Sequence, residues 1–336
     1  AVKALRERGS EVIVASESYS VDDPSNEKHV IDLCRQKQTV ATGGFEISQL
    51  YGLQARTRTA AVNAALIPKM METANMTEEA VRKSGIQKPL MIMRCDGGVM
   101  SINEVRKRPI LTMLSGLAAG VAGALMYEKI TDGIFLEAGG TSTDISAIKD
   151  GKVMIKSAQV GGHKLYLKSL DVRTLGIAGG SMIVVKDGRI ADVGPRSAHI
   201  ADKAYEVFSA ASDICKPQVD LIAPCEDDEA NYAVVSCANG QSYALTLAGA
   251  ANILGYVPKD DYAAGNIEAA LCAWQALADE LNSSVQKLCQ QALDIAIGKV
   301  RSVVEGLLSA YDLDPNLIRL VGGGGSASVV VPALSK

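Results

Sequence analysis

Two short apolar runs between residues 133 and 153 are joined by a turn rich in glycine and hydroxyl side chains. The turn reads Gly-Gly-Thr-Ser-Thr-Asp over residues 139–144, and an Asp150-Gly151 pair follows the second run. An Asp-Gly pair beside alternating apolar residues is a strong β-hairpin signal. Glycine lets backbone N–H groups approach an anion closely, hydroxyls add donors, and a carboxylate beside them can hold a metal ion or position water. We interpret this segment as a phosphate-binding β-hairpin; the alternative is a surface hairpin that happens to be rich in turn residues.

Composition and charge exclude several classes of protein. The 336 residues are 48% hydrophobic and 21% charged, which fits a globular protein of two or more domains. A net charge of −4 argues against a nucleic-acid partner, which would favour a basic surface. The sequence shows neither a membrane-spanning apolar run nor a signal peptide. We therefore predict a cytoplasmic protein that binds neither nucleic acid nor membrane.

The cysteine pattern supports that assignment. Seven cysteines, an odd number without a Cys-x-x-Cys pair, indicate reduced thiols. Cys215, Cys225 and Cys237 fall in one segment, so a metal site there is an alternative, although closely spaced ligand pairs are missing. The acidic run at 226–229 is interpreted as a solvated loop, with a cation site as its alternative.

Hydrophobic periodicity predicts an α/β chain. Helical patterns lie at 24–37, at 47–72 with a break or kink at Pro68, at 114–127, and at 266–311 with a break near residue 282. The run at 89–94 predicts a buried strand. A second glycine-led hairpin, turning at Asp187-Gly188, follows the first, and we expect the two to form one antiparallel meander within a mixed sheet. Residues 204–242 change in character and predict an inserted subdomain or flap.

A second glycine-rich segment lies near the end of the sequence. Residues 317–321 predict a strand, Gly322, Gly323, Gly324 and Gly325 follow, and a helical pattern comes next. Strand, glycines and helix in this order place a nucleotide or phosphate against backbone N–H groups. The sequence begins at Ala1 and closes at Lys336 within helical patterns, which indicates a piece of a longer polypeptide.

Several motifs in this order resemble the A-type subunit of the hydantoinase/oxoprolinase family. The matching segments span most of residues 45–195 and are Asp96–Ser101, Arg108–Thr112, Leu114–Ala124, Gly139–Asp144 and Asp171–Ser181.

The resemblance implies a fold like the actin and sugar-kinase ATPases, with two ribonuclease-H-like lobes of mixed sheet flanked by helices that clasp ATP. Residues 1–113 would be the remainder of the first lobe, and residues 114–336 the second lobe, with an insertion at about 196–245. Gly139–Asp144 would be the phosphate hairpin of the second lobe, and Gly322–Gly325 the adenosine turn. The first-lobe phosphate hairpin of the family is absent from this sequence, so we expect the chain alone to bind ATP poorly.

The sequence departs from the family pattern at several positions. Glu137-Ala138 stands where the family has Asp-Met, and Asp171-Val172-Arg173-Thr174 stands where it has Asp-x-His-Thr. Arginine is a permanent cation, so Arg173 suits an anion and cannot act as a base. Leu117 replaces a usual proline, and the loop after Pro195 does not match.

The resemblance implies ATP-dependent hydrolysis of a cyclic amide, of the hydantoin or 5-oxoproline type, through phosphorylation of the carbonyl oxygen. Alternatives are a subunit of an ATP-dependent carboxylase and a catalytically silent actin-like scaffold. ATP and Mg²⁺ are the expected cofactors, and a B-type subunit and an oligomeric assembly the expected partners.

Site residues follow from the same resemblance. The phosphate donors would be Gly139, Gly140, Thr141 and Ser142; Asp144 and Glu137 would hold Mg²⁺; and Asp144, Asp171 and Arg173 would be catalytic. His163 is either a base or a loop histidine without a role. The central expectation is geometric: the bends at 139–144 and 322–325 should converge across a cleft on one ATP.

Overall fold

The computed structural model describes residues 1–335 and is a mixed α/β fold. Its α-helices are α1 Val2–Glu7, α2 Ser25–Gln36, α3 Gly44–Ile47, α4 Leu53–Lys83, α5 Ile102–Lys107, α6 Ser115–Glu128, α7 Leu247–Ile253, α8 Ile267–Glu280, α9 Val285–Tyr311 and α10 Ala327–Leu334, with 3-10 helices at Pro109–Thr112 and Glu206–Phe208. Its strands are β1 Val12–Ala15, β2 Val40–Gly43, β3 Met91–Met93, β4 Val99–Ser101, β5 Gly133–Ala138, β6 Thr143–Lys149, β7 Lys152–Val153, β8 Ile155–Val160, β9 His163–Leu170, β10 Val172–Leu175, β11 Ser181–Lys186, β12 Arg189–Ser197, β13 Ala204–Tyr205, β14 Gln218–Ile222, β15 Tyr232–Ser236, β16 Ser242–Ala244 and β17 Arg319–Gly323.

The chain forms two compact units. The first contains residues 1–123 and 154–171, and the second contains residues 124–153 and those from 172 onward. The chain therefore leaves the second unit after β7, contributes the β8–β9 hairpin to the first, and returns at β10. The division into a first lobe at 1–113 and a second at 114–336, with an insertion at 196–245, stays a prediction.

The first unit is organised around the long helix α4. A cluster of buried side chains fills its core: Ala74, Cys95, Met100, Ile102, Val105, Ile110, Leu111, Ala158, Leu165 and Leu167. Helix α4 continues through Pro68 to Lys83, so of the predicted break or kink the break is wrong and the kink stays a prediction. The predicted buried strand at 89–94 is reduced to β3, a three-residue strand that is partly exposed and pairs with β4.

A five-stranded mixed sheet in the second unit contains the first glycine-led hairpin. The strand order is β10-β6-β5-β17, with β7 paired to β6. β5 and β6 are antiparallel, as the sequence predicts, whereas β17 runs parallel to β5 and aligns Gly323 with Glu137. Helix α10 packs on β5 and β17, and α9 packs on β6.

The second glycine-led hairpin belongs to a different sheet. β11 and β12 pair antiparallel as predicted, but they join β15, β16, β13 and β14 in a six-stranded sheet. The expected single meander is therefore wrong: the bend at 176–180 moves the chain from one sheet to the other. The segment at 204–242 contributes β13, β14, β15 and the start of β16 to this second sheet. Met182, Val184, Tyr232, Val234 and Ala244 share its core.

The helical segment at 266–311 is divided as the sequence predicts. Helix α8 ends at Glu280, Asn282 takes a left-handed φ of 48°, and α9 begins at Val285. The side chain of Asn266 accepts from Ala269 N–H and caps α8, and that of Ser284 accepts from Lys287 N–H and caps α9. Among the residues that the structure describes, no helix is long and apolar enough to cross a lipid bilayer.

Helix α8 offers a matched pair of leucines for testing its packing. Leu277 is fully buried and Leu271 is 37% exposed, although both lie on the same helix. We expect Leu277→Ala to lower the free energy of unfolding by about 2–5 kcal/mol, because it leaves a cavity. Leu271→Ala should change it by less than about 1 kcal/mol. Urea denaturation of both variants checks this; equal losses would contradict the described packing.

Candidate functional site

The turn between β5 and β6 is closed by one internal hydrogen bond. Gly139 N–H donates to the carbonyl of Ser142 at 3.0 Å, so the Gly139 amide that the sequence offers as a phosphate donor is already engaged. Within residues 1–335, the amides of Gly140, Thr141 and Ser142 donate no backbone hydrogen bond. Gly140 is exposed and the other two are partly exposed. Successive unpaired N–H groups in a turn form a concavity that suits an anion.

A second bend holds this turn in place. Gly180 N–H donates to the Gly140 carbonyl at 2.9 Å, and Gly179 N–H donates to the Gly139 carbonyl at 3.3 Å. A Cβ at Gly180 would lie 2.5 Å from the Gly140 oxygen, so only glycine permits this approach. Thr143 adds a buried hydroxyl bond of 2.6 Å to the carbonyl of Ile177. The glycine bend at 176–180 therefore contacts the turn at 139–142.

The glycine run at 322–325 lies at the same end of the mixed sheet as the turn at 139–142. Gly322 and Gly323 belong to β17, beside the end of β5, and the chain leaves the strand at Gly324 with a φ of +86°. Ser326 N–H donates to the Ala138 carbonyl at 3.0 Å. A Cβ at Gly324 would lie 2.5 Å from that same oxygen. The two bends thus follow adjacent parallel strands, β5 and β17, and do not sit on unrelated surfaces.

Two carboxylates flank the phosphate turn. Glu137 and Asp144 are direct cross-strand partners in β5 and β6, so their side chains leave the same face of the sheet. Partial burial, with the Asp144 charge as a second cause, raises the pKa of Glu137. Asp144 Oδ1 also accepts a 2.5 Å hydrogen bond from the hydroxyl of Thr174. Two neighbouring acids that repel one another suit a divalent cation, and Mg²⁺ commonly takes one or two protein carboxylates together with phosphate oxygens.

The other two predicted catalytic residues lie elsewhere. Arg173 is exposed on β10, where it pairs with Ile145, while the next residue, Thr174, pairs with Asp144. Because side chains alternate along a strand, Arg173 leaves the face opposite to Asp144. Asp171 is buried in the first unit, where its carboxylate forms an ion pair with Lys156 and its N–H donates to Met154.

Tyr205 supports the turn and was not anticipated from the sequence. Its hydroxyl donates to the Gly140 carbonyl at 3.4 Å. A Cβ at Gly180 would lie 2.0 Å from the Tyr205 hydroxyl oxygen. The side chain also packs at 5.5 Å, between ring centroids, on Phe208. Only the absence of a side chain at residue 180 makes room for the hydroxyl; nothing local in the sequence signals that contact.

The residue after Tyr205 is a fully buried acid. Glu206 accepts hydrogen bonds from Thr246 N–H at 3.0 Å, the Thr246 hydroxyl at 2.9 Å and Trp274 Nε1 at 3.0 Å. Burial raises its pKa to about 7, and these donors offset part of that effect because they favour the carboxylate. The network ties the 3-10 helix after Tyr205 to α7 and α8.

Other candidates from the sequence have ordinary roles or none described. Among residues 1–335 no group of three metal-ligating side chains exists, so Cys215, Cys225 and Cys237 do not form a metal site. Asp228, within the acidic run, forms a bidentate pair with Arg196 at 2.8–3.1 Å, which lowers the Asp228 pKa. His163 is exposed at the start of β9.

Comparison with known proteins agrees with this architecture. The family model for hydantoinase/oxoprolinase matches residues 56–336, and the chain belongs to that family. It is 28% identical over 204 residues to the caprolactamase subunit alpha of Pseudomonas jessenii, covering 59% of this chain and 29% of the relative. It is 27% identical over 214 residues to the acetophenone carboxylase gamma subunit of Aromatoleum aromaticum, covering 59% and 28%. The matched region thus spans less than a third of either relative.

Two solved structures share the fold. The ATP-dependent caprolactamase of Pseudomonas jessenii superimposes with a TM-score of 0.68 at 24% identity, covering 99% of this chain and 45% of that one. A nucleotide-free acetone carboxylase superimposes with a TM-score of 0.67 at 20% identity, covering 100% and 45%. At these identities the likeness concerns the fold alone.

The contact between Gly324 and β5 can be tested with a matched glycine. Gly324 and Gly240 have φ values of +86° and +81°, but nothing lies within 4 Å of a Cβ placed at Gly240. Gly240→Ala should cost about 1–2 kcal/mol of unfolding free energy, from the left-handed backbone alone. Gly324→Ala should cost about 1–3 kcal/mol more, because its methyl group meets the Ala138 carbonyl. Equal losses of unfolding free energy for the two variants in urea would show that Gly324 is not packed against β5.

Glu206 predicts a pH dependence of stability. Its pKa of about 7 in the folded protein lies above the ordinary 4.5, so the unfolded state releases this proton first as pH rises. The stability that Glu206 contributes is complete below about pH 4.5 and is lost as pH rises through 7. We expect the wild-type advantage over Glu206→Gln to shrink by roughly 2–4 kcal/mol between pH 5 and 8. Urea unfolding across that range measures it, and a constant difference would refute the assignment.

Proposed function

We propose that the turn at 139–142 binds the phosphates of ATP in an enzyme that uses ATP to hydrolyse a cyclic amide of the hydantoin or 5-oxoproline type. The observation that carries the proposal is that, among residues 1–335, the amides of Gly140, Thr141 and Ser142 donate no backbone hydrogen bond, in a turn that the bend at 176–180 holds through two hydrogen bonds. Preorganised N–H donors stabilise a phosphoryl group without reorganising during reaction. The chain's family and its ATP-dependent structural relative support the use of ATP.

The residues of the turn at 139–142 and of the run at 322–325 have roles that their contacts allow. Gly140, Thr141 and Ser142 offer N–H groups, and the hydroxyl of Ser142 adds a donor. The Thr141 hydroxyl is hydrogen-bonded to the Ser197 hydroxyl at 3.2 Å and adds a donor when Ser197 donates in that bond. Gly139 keeps the turn closed and does not donate to phosphate. The glycine run at 322–325, with no side chains to obstruct approach, would hold the nucleoside end.

The carboxylates Asp144 and Glu137 would hold Mg²⁺. Their shared face and the raised pKa of Glu137 fit a site that a cation stabilises. When bound, the ion neutralises charge on the transferring phosphoryl group. The Thr174 hydroxyl fixes the orientation of the Asp144 carboxylate, since it donates to one of its oxygens.

Activation of the amide supplies the reason for using ATP. Resonance stabilises an amide carbonyl against water. Transfer of the γ-phosphoryl group to the carbonyl oxygen makes the carbon electrophilic and the oxygen a leaving group. Such transfer requires positioning and charge neutralisation more than covalent participation by the protein. The relative from Pseudomonas jessenii is a caprolactamase subunit, which supports a lactam as the substrate of this chain.

We propose a conditional role for Arg173 and an indirect role for Asp171. Arg173, on the face opposite to Asp144, is proposed as an anion clamp only for a ligand that reaches that face. Asp171 is proposed to act through its ion pair with Lys156, by fixing the residues before β10, and to make no direct contact with substrate.

The proposal extends to the assembly. We propose that the second unit corresponds to a ribonuclease-H-like lobe of the actin and sugar-kinase type, with segment 196–245 as an insertion. The relatives named as subunits support an oligomer. We propose a subunit of the B type as the partner. A cytoplasmic location is proposed from the composition.

A carboxylase subunit is the second candidate function. Acetophenone carboxylase and acetone carboxylase are among the relatives by sequence and by fold, respectively, and both reactions would use the same phosphate site. The two differ in the molecule that is activated: an amide carbonyl in the hydrolase, or bicarbonate or a ketone in the carboxylase.

Nucleotide-dependent stability and phosphate release test these functions in the intact protein. ATP with Mg²⁺ at about 100 times its Kd should add about 2.7 kcal/mol of stability and raise Tm by several degrees. A silent scaffold would show no shift. Phosphate release stimulated by a cyclic amide without bicarbonate supports the hydrolase, and a bicarbonate requirement supports the carboxylase.

Asp144→Asn should lower the stimulated phosphate release at least about tenfold, because it removes a ligand for the cation. Asp150→Asn is the matched control: Asp150 lies at the other end of the same hairpin with a left-handed φ of 52°, which asparagine tolerates. Equal activity of the two variants would remove Asp144 from the proposed site.

A further inference from the structure

Tyr262 is the most exposed large hydrophobic residue in the described chain. Its side chain is 93% exposed, in the loop between α7 and α8. The ring lies beside the glycine run: a Cβ placed on Gly325 would stand 3.5 Å from Cδ1 and 4.0 Å from Cε1 of Tyr262. One edge of the ring therefore lies beside the run, while most of its surface is open to solvent.

Neighbouring residues fix the loop on the side of the glycine run. Asp261 Oδ1 accepts from Ala263 N–H at 2.8 Å and from the Ser328 hydroxyl at 2.7 Å. Ser328 belongs to α10, the helix that directly follows the glycines. The residue before Tyr262 is thus bonded to the element that positions the run.

Asn252 fixes the loop on its other side. This residue of α7 is 4% exposed, and its side chain donates to the Ala263 carbonyl at 3.0 Å and accepts from Gly265 N–H at 3.0 Å. Ala263 itself is 1% exposed. Tyr262 therefore projects from a loop anchored on both sides. The fold holds an apolar ring in water at a defined place.

The backbone beside the ring lacks side chains at two positions. Gly324 and Gly325 are both exposed, and neither places a side chain between the tyrosine ring and the glycine backbone. A rigid aromatic ring next to an unobstructed backbone suits a planar heterocycle, because base–aromatic stacking needs an open π-face and little hydrogen bonding. The Tyr262 ring lies beside the glycine run at 322–325, whereas the amides proposed to bind phosphate lie in the turn at 139–142.

We infer that Tyr262 is the stacking platform for the purine base of the nucleotide whose phosphates bind at residues 140–142. The inference rests on the proposed function and assigns its two ends: phosphates at the β5–β6 turn, and base at Tyr262 beside Gly325. The aromatic ring supplies affinity for the base and none for the phosphates.

The test compares ATP with inorganic tripolyphosphate, each with Mg²⁺, in equilibrium binding to the intact protein. Tyr262→Ala should weaken ATP binding roughly 5- to 150-fold and leave tripolyphosphate binding unchanged. Tyr262→Phe, which keeps the ring, should retain ATP affinity. Tyr127→Ala is the matched control, because Tyr127 is 85% exposed on α6, and it should bind both ligands like the wild type.

The outcomes separate the inference from the proposed function. Unchanged ATP binding in Tyr262→Ala, or loss of both ligands together, overturns the stacking role while leaving the phosphate site intact in the wild type. Wild-type protein that binds tripolyphosphate as tightly as ATP also overturns it. Wild-type protein that binds neither ligand refutes the proposed function and the inference with it. Thermal unfolding of Tyr262→Ala should match the wild type, since the side chain is exposed.

Discussion

The candidate site depends on a direct backbone contact between two glycine bends. Gly179 and Gly180 donate to the carbonyls of Gly139 and Gly140, and no Cβ fits at Gly180. Because the carbonyls of Gly139 and Gly140 accept from the second bend, the turn is held in one shape. Among residues 1–335, its amides at 140–142 donate no backbone hydrogen bond. A longer side chain at residue 180 would separate the bends and displace the Tyr205 hydroxyl. The shape of the turn at 139–142 therefore depends more on backbone packing than on the hydroxyl side chains of Thr141 and Ser142.

Local signals in the sequence predict the elements of this site well. The Asp-Gly pairs at 150–151 and 187–188 occur at the two expected hairpin turns, and both aspartates take left-handed φ values. Strand, glycines and helix occur in the predicted order, although the strand extends to Gly323 and so includes the first two glycines of the run at 322–325. Each of these features is decided by a few adjacent residues, through turn geometry and the missing Cβ of glycine.

Pairings between distant segments are what the sequence does not predict. The two hairpins look alike, yet they belong to different sheets, because the bend at 176–180 redirects the chain between them. Parallel pairing of β17 with β5 joins residues far apart along the chain and places both glycine segments at one edge. The alternation that separates Arg173 from Asp144 depends on the register of β10 with β6, which composition and motif spacing leave open. Local patterns thus identify which residues are special, while long-range register decides which of them meet.

The segment after Pro195 has a structural role in the second unit through its contacts. Tyr205 reaches the phosphate turn, Glu206 joins the 3-10 helix to α7 and α8, and Arg196 pairs with Asp228. A buried acid without a cationic partner is costly unless hydrogen bonds compensate, and Glu206 receives three. Such a network fixes the position of its neighbour, Tyr205, against the glycine bends. Residues of this segment therefore decide how the turn at 139–142 is supported.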